Sequence, residues 1–272
     1  YHGPMELPKD TPPSVRHDET LLASQHEQTT LTRGVTFGRR EWTVMVLVIA
    51  LAAGILITAS QRSRRARYRS TCASQLGRMG AGLLLYADSH GGKLPFQGNR
   101  GDAWLGGAGN PVRSSSRSLM LLLTESYVDG THIFRCPAAG GKGFVFREGM
   151  DDFPLDAAVG YSYRYSLGEG LRMGGGRNDR ERSAVPVLAD ASPLFDSGQF
   201  DASQIGRNSR NHDRDGQNVL YLSGDVRWAK TPTAGGMADD DIYTIQGVAT
   251  YHGTEAPQSH DDTFLLPATP QK

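Results

Sequence analysis

The sequence predicts an α+β protein: a long N-terminal helix, membrane-embedded in its first half and amphipathic in its second, packed on a small antiparallel sheet. Three observations predict it. An uncharged segment from Trp42 to Gln61 runs without a helix breaker into a stripe of apolar residues at helical spacing. Short β-prone runs then recur between turn-rich stretches. Glycine supplies 33 of the 272 residues, about 12% against a usual ~7%, which favours turns and short strands over further helix.

Residues 1–40 hold four prolines and no sustained apolar period, so they read as a disordered tail. Val44–Ile57 is apolar at every position, and about 20 helical residues at ~1.5 Å each span the ~30 Å core of a bilayer. Residues 41–60 are therefore read as a single transmembrane helix. A cleaved secretory signal fits less well, since the run is long and lacks an Ala-x-Ala exit. The flank Arg62, Arg64, Arg65, Arg67 and Arg69 follows at once. Beyond it Cys72, Leu76, Met79, Leu83 and Tyr86 recur at steps of three and four, one face of a helix. Gly91-Gly92 and Pro95 stop that helix near Ser89.

Gln97–Pro111 reads as a Gly-rich loop. Ser116 is placed as the cap of a short helix bearing Leu119, Leu122 and Leu123 on one face. Strands are predicted at Ile133–Cys136, Phe144–Arg147, Val159–Leu167, Val185–Ala189 and Gln217–Leu222. Alternating Tyr161, Tyr163 and Tyr165 suggest one wetter face. Gln217–Leu222 leads through a two-residue Ser223-Gly224 turn into Asp225–Trp228, a β-hairpin. Residues 61–230 form the α+β domain, and 231–272 a loop-rich tail that packs on it through Phe264-Leu265-Leu266-Pro267. The sequence opens on Tyr1 rather than Met, so its true start is left open.

Charge narrows the function classes. Lys+Arg and Asp+Glu each number 29, so the formal net charge is zero. The excess of base is confined to residues 1–69, and residues 70–272 carry more acid than base, which argues against nucleic acid as a partner. One apolar span excludes a multi-spanning transporter. The two cysteines form no CxxC, which excludes a thioredoxin-like motif or a four-cysteine zinc site.

The ordered set of motifs carries a resemblance. It runs from the uncharged helix and Arg64-Arg65-Ala66-Arg67 through Cys72-Ala73-Ser74-Gln75-Leu76-Gly77, Tyr86-Ala87-Asp88 and Gly91-Gly92-Lys93-Leu94-Pro95. It continues with Phe134-Arg135-Cys136-Pro137, Tyr161-Ser162-Tyr163 and Asn208-Ser209-Arg210-Asn211-His212, and closes on Gly216–Val226. Over roughly residues 38–267 the chain resembles bacterial type IV pilin-like (pseudopilin-like) proteins with a C-terminal His followed about ten residues later by Asp-Gly. It departs from the pattern at two places. Gly38 is followed by Arg39, with Thr43 where the family has an acid, so the prepilin-peptidase site is degenerate and the helix is read as an uncleaved anchor. The hallmark Asp-Gly is Ser223-Gly224 here, followed by Asp225.

The resemblance implies an inner-membrane, single-pass protein with a cytoplasmic tail and an extracytoplasmic domain. It implies a structural or assembly role beside a type II secretion or pilus-like system, with the bilayer and other pilin-like subunits as partners through the helix, where Gly54 permits close approach. Counting Lys and Arg on the flanks alone places the domain inside the cell instead. With the domain outside, a Cys72–Cys136 disulfide is expected, closing a loop of about 63 residues and worth about 4 kcal/mol in the chain-entropy model; two unpaired buried thiols are the alternative. The alternative functions are a membrane-tethered ligand-binding protein, using strand aromatics, Trp104 and Trp228 on glycan, or a cytoplasm-facing sensor.

Candidate chemistry is sparse, and the chain is not read as an enzyme. There is no Gly-x-Ser-x-Gly, no base near Ser114–Ser116, no Walker motif, and Gly174-Gly175-Gly176 does not join a strand to a helix. His212, Asp225 and Asp190 are weak metal candidates, with Asp213 and Asp215 near His212 in sequence. Ca²⁺ is the ion that such oxygen-rich sets would take, there or at Asp239-Asp240-Asp241. The plainer reading makes Asn211, His212, Gly216, Asn218 and Gly224 a structural motif that fixes turns and the hairpin.

Overall fold

A computed structural model describes residues 38–97, 104, 115–154, 157, 159–165, 178–196, 199–236, 239–259 and 261–267. The first helix, α1, runs unbroken over Arg39–Ser89. Glu41 accepts from the Gly38 amide at 2.9 Å, the backward half of a capping box. At the other end His90 N–H reaches Tyr86 O and Gly92 N–H reaches Ala87 O at 2.7 Å. That is a Schellman close, with Gly91 at φ 62 in the left-handed region where glycine carries no Cβ penalty. The predicted stop near Ser89 is where the helix ends.

The chain divides into two compact units between Ile57 and Thr58. In the first, Gly38–Ile57, Val44, Leu47, Leu51 and Leu56 are all exposed, and this stretch is long and apolar enough to cross a bilayer. The tail assigned to residues 1–40 lies outside the described residues as far as Phe37.

In the second unit α1 buries Cys72, Leu76, Met79, Leu83 and Tyr86, the predicted stripe. Gly80 lies on the same face, where a Cβ would stand 2.9 Å from a Leu220 methyl, so the glycine brings helix and sheet into contact. A second helix, α2 (Ser115–Thr124), adds Leu119, Leu122 and Leu123 to the same core. Ser116 is not its cap: it lies buried inside the first turn and donates to the Asp152 carboxylate. A single turn of helix, α3 (Asp179–Arg182), is framed by Asn178 and Glu181, each side chain accepting from the other's backbone N–H.

Among the described residues the sheet has five antiparallel strands. They are β1 (Tyr161–Arg164), β2 (Pro186–Asp190), β5 (Gln217–Tyr221), β6 (Val226–Ala229) and β7 (Leu265–Pro267), in the order β6-β5-β2-β1-β7. A small hairpin pairs β3 (Phe195–Asp196) with β4 (Gln199–Phe200). One face meets α1 and α2 through Tyr161, Tyr163, Leu188 and Leu220. The other carries Ala189, Val219, Tyr221 and Leu265 against Ile242 and Tyr243. An irregular register between Pro186 and Leu188 puts Val187 and Leu188 into the same core despite their adjacency.

Several expectations are corrected. Ile133–Cys136 is not a strand: Thr131–Phe134 is a 3₁₀ turn that buries both Ile133 and Phe134. Phe144–Arg147 has no regular structure. The tyrosine strand is shorter, Tyr161–Arg164, and all four of its residues are buried, because the C-terminal segment covers the face expected to be wet. The β5–β6 loop has three residues, Leu222 to Gly224, since Tyr221 N–H pairs with Asp225 O and Gly224 N–H with Tyr221 O. Within residues 231–267, Leu265–Pro267 forms β7, and Ile242, Tyr243 and Leu265 join the second core. Most of the Gln97–Pro111 loop, Ser114, Leu167 and Gly174–Gly176 lie outside the described residues.

Candidate functional site

Antiparallel register builds the site. Ala189 faces Val219 across β2 and β5, so the next pair is Asp190 and Asn218. Asp190 is completely buried, and its Oδ2 accepts from Asn218 N–H at 2.7 Å and Asn218 Nδ2 at 3.1 Å. His212 Nε2 lies 3.1 Å from the same oxygen. Asn211 Nδ2 reaches Asp190 Oδ1 at 3.4 Å and Gly160 O at 2.6 Å. Asn211 and His212 are aimed inward by a 3₁₀ turn, Arg210–His212, entered through Ser209, whose hydroxyl accepts from Asn211 N–H, and left through Asp213 at φ 56.

Helix α1 closes the knot. Asn218 Nδ2 also reaches Arg69 O at 3.3 Å. Tyr161 donates to Gln75 Oε1, and Tyr243 donates to Asp190 O at 2.8 Å. Burial, then the nearby Asp190, raises both phenol pKa values, so these tyrosines stay protonated donors. Beside them Cys72 and Cys136 are joined in a disulfide, with Cα atoms 5.4 Å apart across a sequence separation of 64. The predicted pair is present. Gly160 lies against it so closely that a Cβ would stand 2.5 Å from Cys136 Cβ.

A cavity of about 580 Å³ opens beside the knot, lined by Arg64, Arg65, Arg69, His212, Asp213 and Trp228 among others. Arg65 pairs with Asp213 at 2.8 Å, and the Arg69 guanidinium sits 3.9 Å over the Trp228 ring. Trp228 in turn meets the His212 ring edge-on. Gly216, at φ 147, fits under this cluster because a Cβ would come within 2.8 Å of the Trp228 ring.

Of the residues singled out in the sequence, Asp190, Asn211, His212 and Asn218 converge with both cysteines. Asp225 does not join them. It sits beside Tyr221 at the far end of β5, three residues or about 10 Å of strand away by rise per residue, and there holds Ser223 and Arg227. Gly224 belongs to that same turn. Asp240 and Asp241 are engaged separately, by the Thr263 and Tyr243 amides. Trp104 is no exposed platform: it is buried among Phe195, Phe200, Tyr251 and Phe264. Sequence reasoning missed Gly160, Gln75 and Tyr243; only Gly160, inside a strand candidate, carried a signal of close backbone approach. Comparison with family models, with curated proteins and with solved structures finds no match to this chain.

Proposed function

We propose that this protein is a membrane-anchored, pilin-like structural or assembly component of a type II secretion or pilus-like system, with its globular domain on the extracytoplasmic side. The observation that carries the reading is α1. A single helix of 51 residues has an exposed apolar stretch and, further on, a stripe buried against an antiparallel sheet. An anchor alone needs no continuous helix into the domain; a subunit that associates through its helix does. Gly54 lies within that exposed stretch, and a residue without a side chain there suits close packing of a second helix. The disulfide supports the outer side, since such bonds persist in oxidising compartments.

The test has two arms. Protease added to intact spheroplasts should digest the domain, and affinity capture of the full chain should recover pilin-like subunits only when residues 41–60 are intact. A protected domain would favour the cytoplasm-facing sensor and sink this reading. The cavity beside Trp228 supports a second reading, a tethered ligand-binding protein, which glycan binding lost on Trp228→Ala would favour.

A further inference from the structure

Cys72, Cys136, Asp190 and His212 reach one point from four parts of the fold: the buried stripe of α1, the loop after the Thr131–Phe134 turn, the end of β2 and the Arg210–His212 turn. All four are buried, and one ligand-capable atom from each lies within 4.8 Å of all the others. Among the described residues, no other set of three or more His, Cys, Asp or Glu side chains is gathered in this way. While the disulfide is closed the sulfurs are spent on each other and offer no thiolate. We infer that reduction of Cys72–Cys136 turns this knot into a zinc site, with the two thiolates, His212 Nε2 and a carboxylate oxygen of Asp190 as its four ligands.

The donor set selects the metal. Two sulfurs, one imidazole and one carboxylate suit tetrahedral Zn²⁺ and not Ca²⁺, which takes six or more oxygens. Zinc–sulfur bonds of about 2.3 Å set two thiolates roughly 3.8 Å apart at a tetrahedral centre, so the sulfurs part once their bond is broken, staying within the 4.8 Å that holds all four ligand atoms. His212 Nε2 and Asp190 Oδ2, 3.1 Å apart, are close to the separation of two ligands on one zinc. The outer groups are in place: Asn218 donates to Asp190 Oδ2 and Asn211 to Oδ1, fixing the carboxylate's orientation. Two thiolates and a carboxylate outweigh the ion by one negative charge. The cavity that His212 lines gives a path from solvent, and Asp213 offsets Arg65 along it.

The chemistry balances with a dithiol as reductant. The dithiol gives two electrons and two protons to the Cys72–Cys136 bond and leaves as its own disulfide. The two cysteine thiols then lose their protons to solvent as zinc binds. The same four side chains therefore hold a covalent bond in an oxidising compartment and a metal in a reducing one.

The experiment uses the full chain in detergent, reduced anaerobically by a water-soluble phosphine. The phosphine leaves as its oxide, with oxygen from water and the water protons on the two thiols. Co²⁺ is titrated as the probe. One equivalent should bind, with a thiolate-to-cobalt charge-transfer band and tetrahedral ligand-field bands, and one equivalent of Zn²⁺ should remove both. The unreduced protein should show neither. His212→Ala should weaken Co²⁺ binding at least tenfold and change the ligand-field bands, and His212→Gln serves if the alanine variant does not fold. A thiolate band absent after reduction, present without it, or unchanged in the His212 variant would overturn the assignment.

Discussion

Asp190 shows how much one side chain can hold together. Its two oxygens receive Asn218 N–H, the Asn218 and Asn211 amides and the His212 ring, while its backbone oxygen takes the Tyr243 hydroxyl. Asp190 and Asn218 lie away from water, so truncation strands buried donors as well as removing bonds. Asp190→Ala is expected to cost about 3 kcal/mol, and Asp190→Asn, which keeps one acceptor oxygen, about half of that. Urea unfolding of the full chain in detergent measures both. Equal losses would mean that the carboxylate's charge, and neither its volume nor the acceptor that asparagine keeps, sets the effect. Gly160 makes a second case at this scale. Its carbonyl accepts from Asn211 and from Ala191 N–H, and its missing side chain leaves room for the Cys136 backbone, 2.7 Å from where a Cβ would stand. The neighbour there is backbone, held by the disulfide, and cannot swing aside. Gly160→Ala should therefore destabilise by about 1–3 kcal/mol, lost again on reduction if the disulfide is what pins Cys136.

At the scale of elements, α1 separates positions that look alike in composition. Leu76 is wholly buried between the sheet and α2, whereas Leu84, two turns on, is 41% exposed. Leu76→Ala should cost about 2–5 kcal/mol and Leu84→Ala under about 0.5, read as shifts in denaturation midpoint. Similar losses at both would mean that the far side of α1 is also covered in solution. This helix was legible from its residues alone because both signals that define it are local: spacing on one face, and a Gly-Gly close. Central strands β2 and β5 were legible too, but their edges were not. Ile133 and Phe134 form a short apolar run with no period, and such a run does not distinguish a strand from a tight turn buried on one side. Leu265 and Leu266 read as an anchor rather than a strand because both of their faces are covered, which erases alternation. The site was half legible. Its residue types stood out, but their meeting depends on the β2–β5 register and on a helix some 120 residues upstream in sequence, and neither has a local signature. Asp225 was misplaced for the same reason, since nearness in sequence to His212 hides the length of a strand.

At the scale of the whole molecule, the second core ties stability to pH through a group far from the disulfide. Asp240 is buried where the C-terminal segment folds back, and its Oδ2 accepts from Thr263 N–H at 3.2 Å. Burial pushes its pKa from 3.8 up to about 6, helped by Asp262 and opposed by the Thr263 hydrogen bonds and the buried Arg164. Between about pH 4 and 6 the folded carboxyl keeps a proton that an unfolded aspartate has lost. The folded state then binds more protons, so this group makes stability fall as pH rises through that window. Two pH units set an upper bound of about 3 kcal/mol lost above pH 6 relative to below pH 4, reduced by whatever solvent reaches the carboxyl. Asp129 and Asp201 pull the other way: a hydrogen bond from its own backbone and then the Arg78 guanidinium at the first, and Ser203 at the second, lower their pKa values, and what they add is lost as pH falls through the folded values. Both are exposed, so solvent screening keeps their share small. The clean measure is the difference between the wild type and Asp240→Asn, which holds the acceptor for Thr263 without titrating. The variant should be more stable at pH 7 and lose the fall between pH 4 and 6, while its stability near pH 4 stays close to the wild type. Parallel curves for the two proteins would show that the second core is wet enough to leave Asp240 an ordinary surface carboxylate.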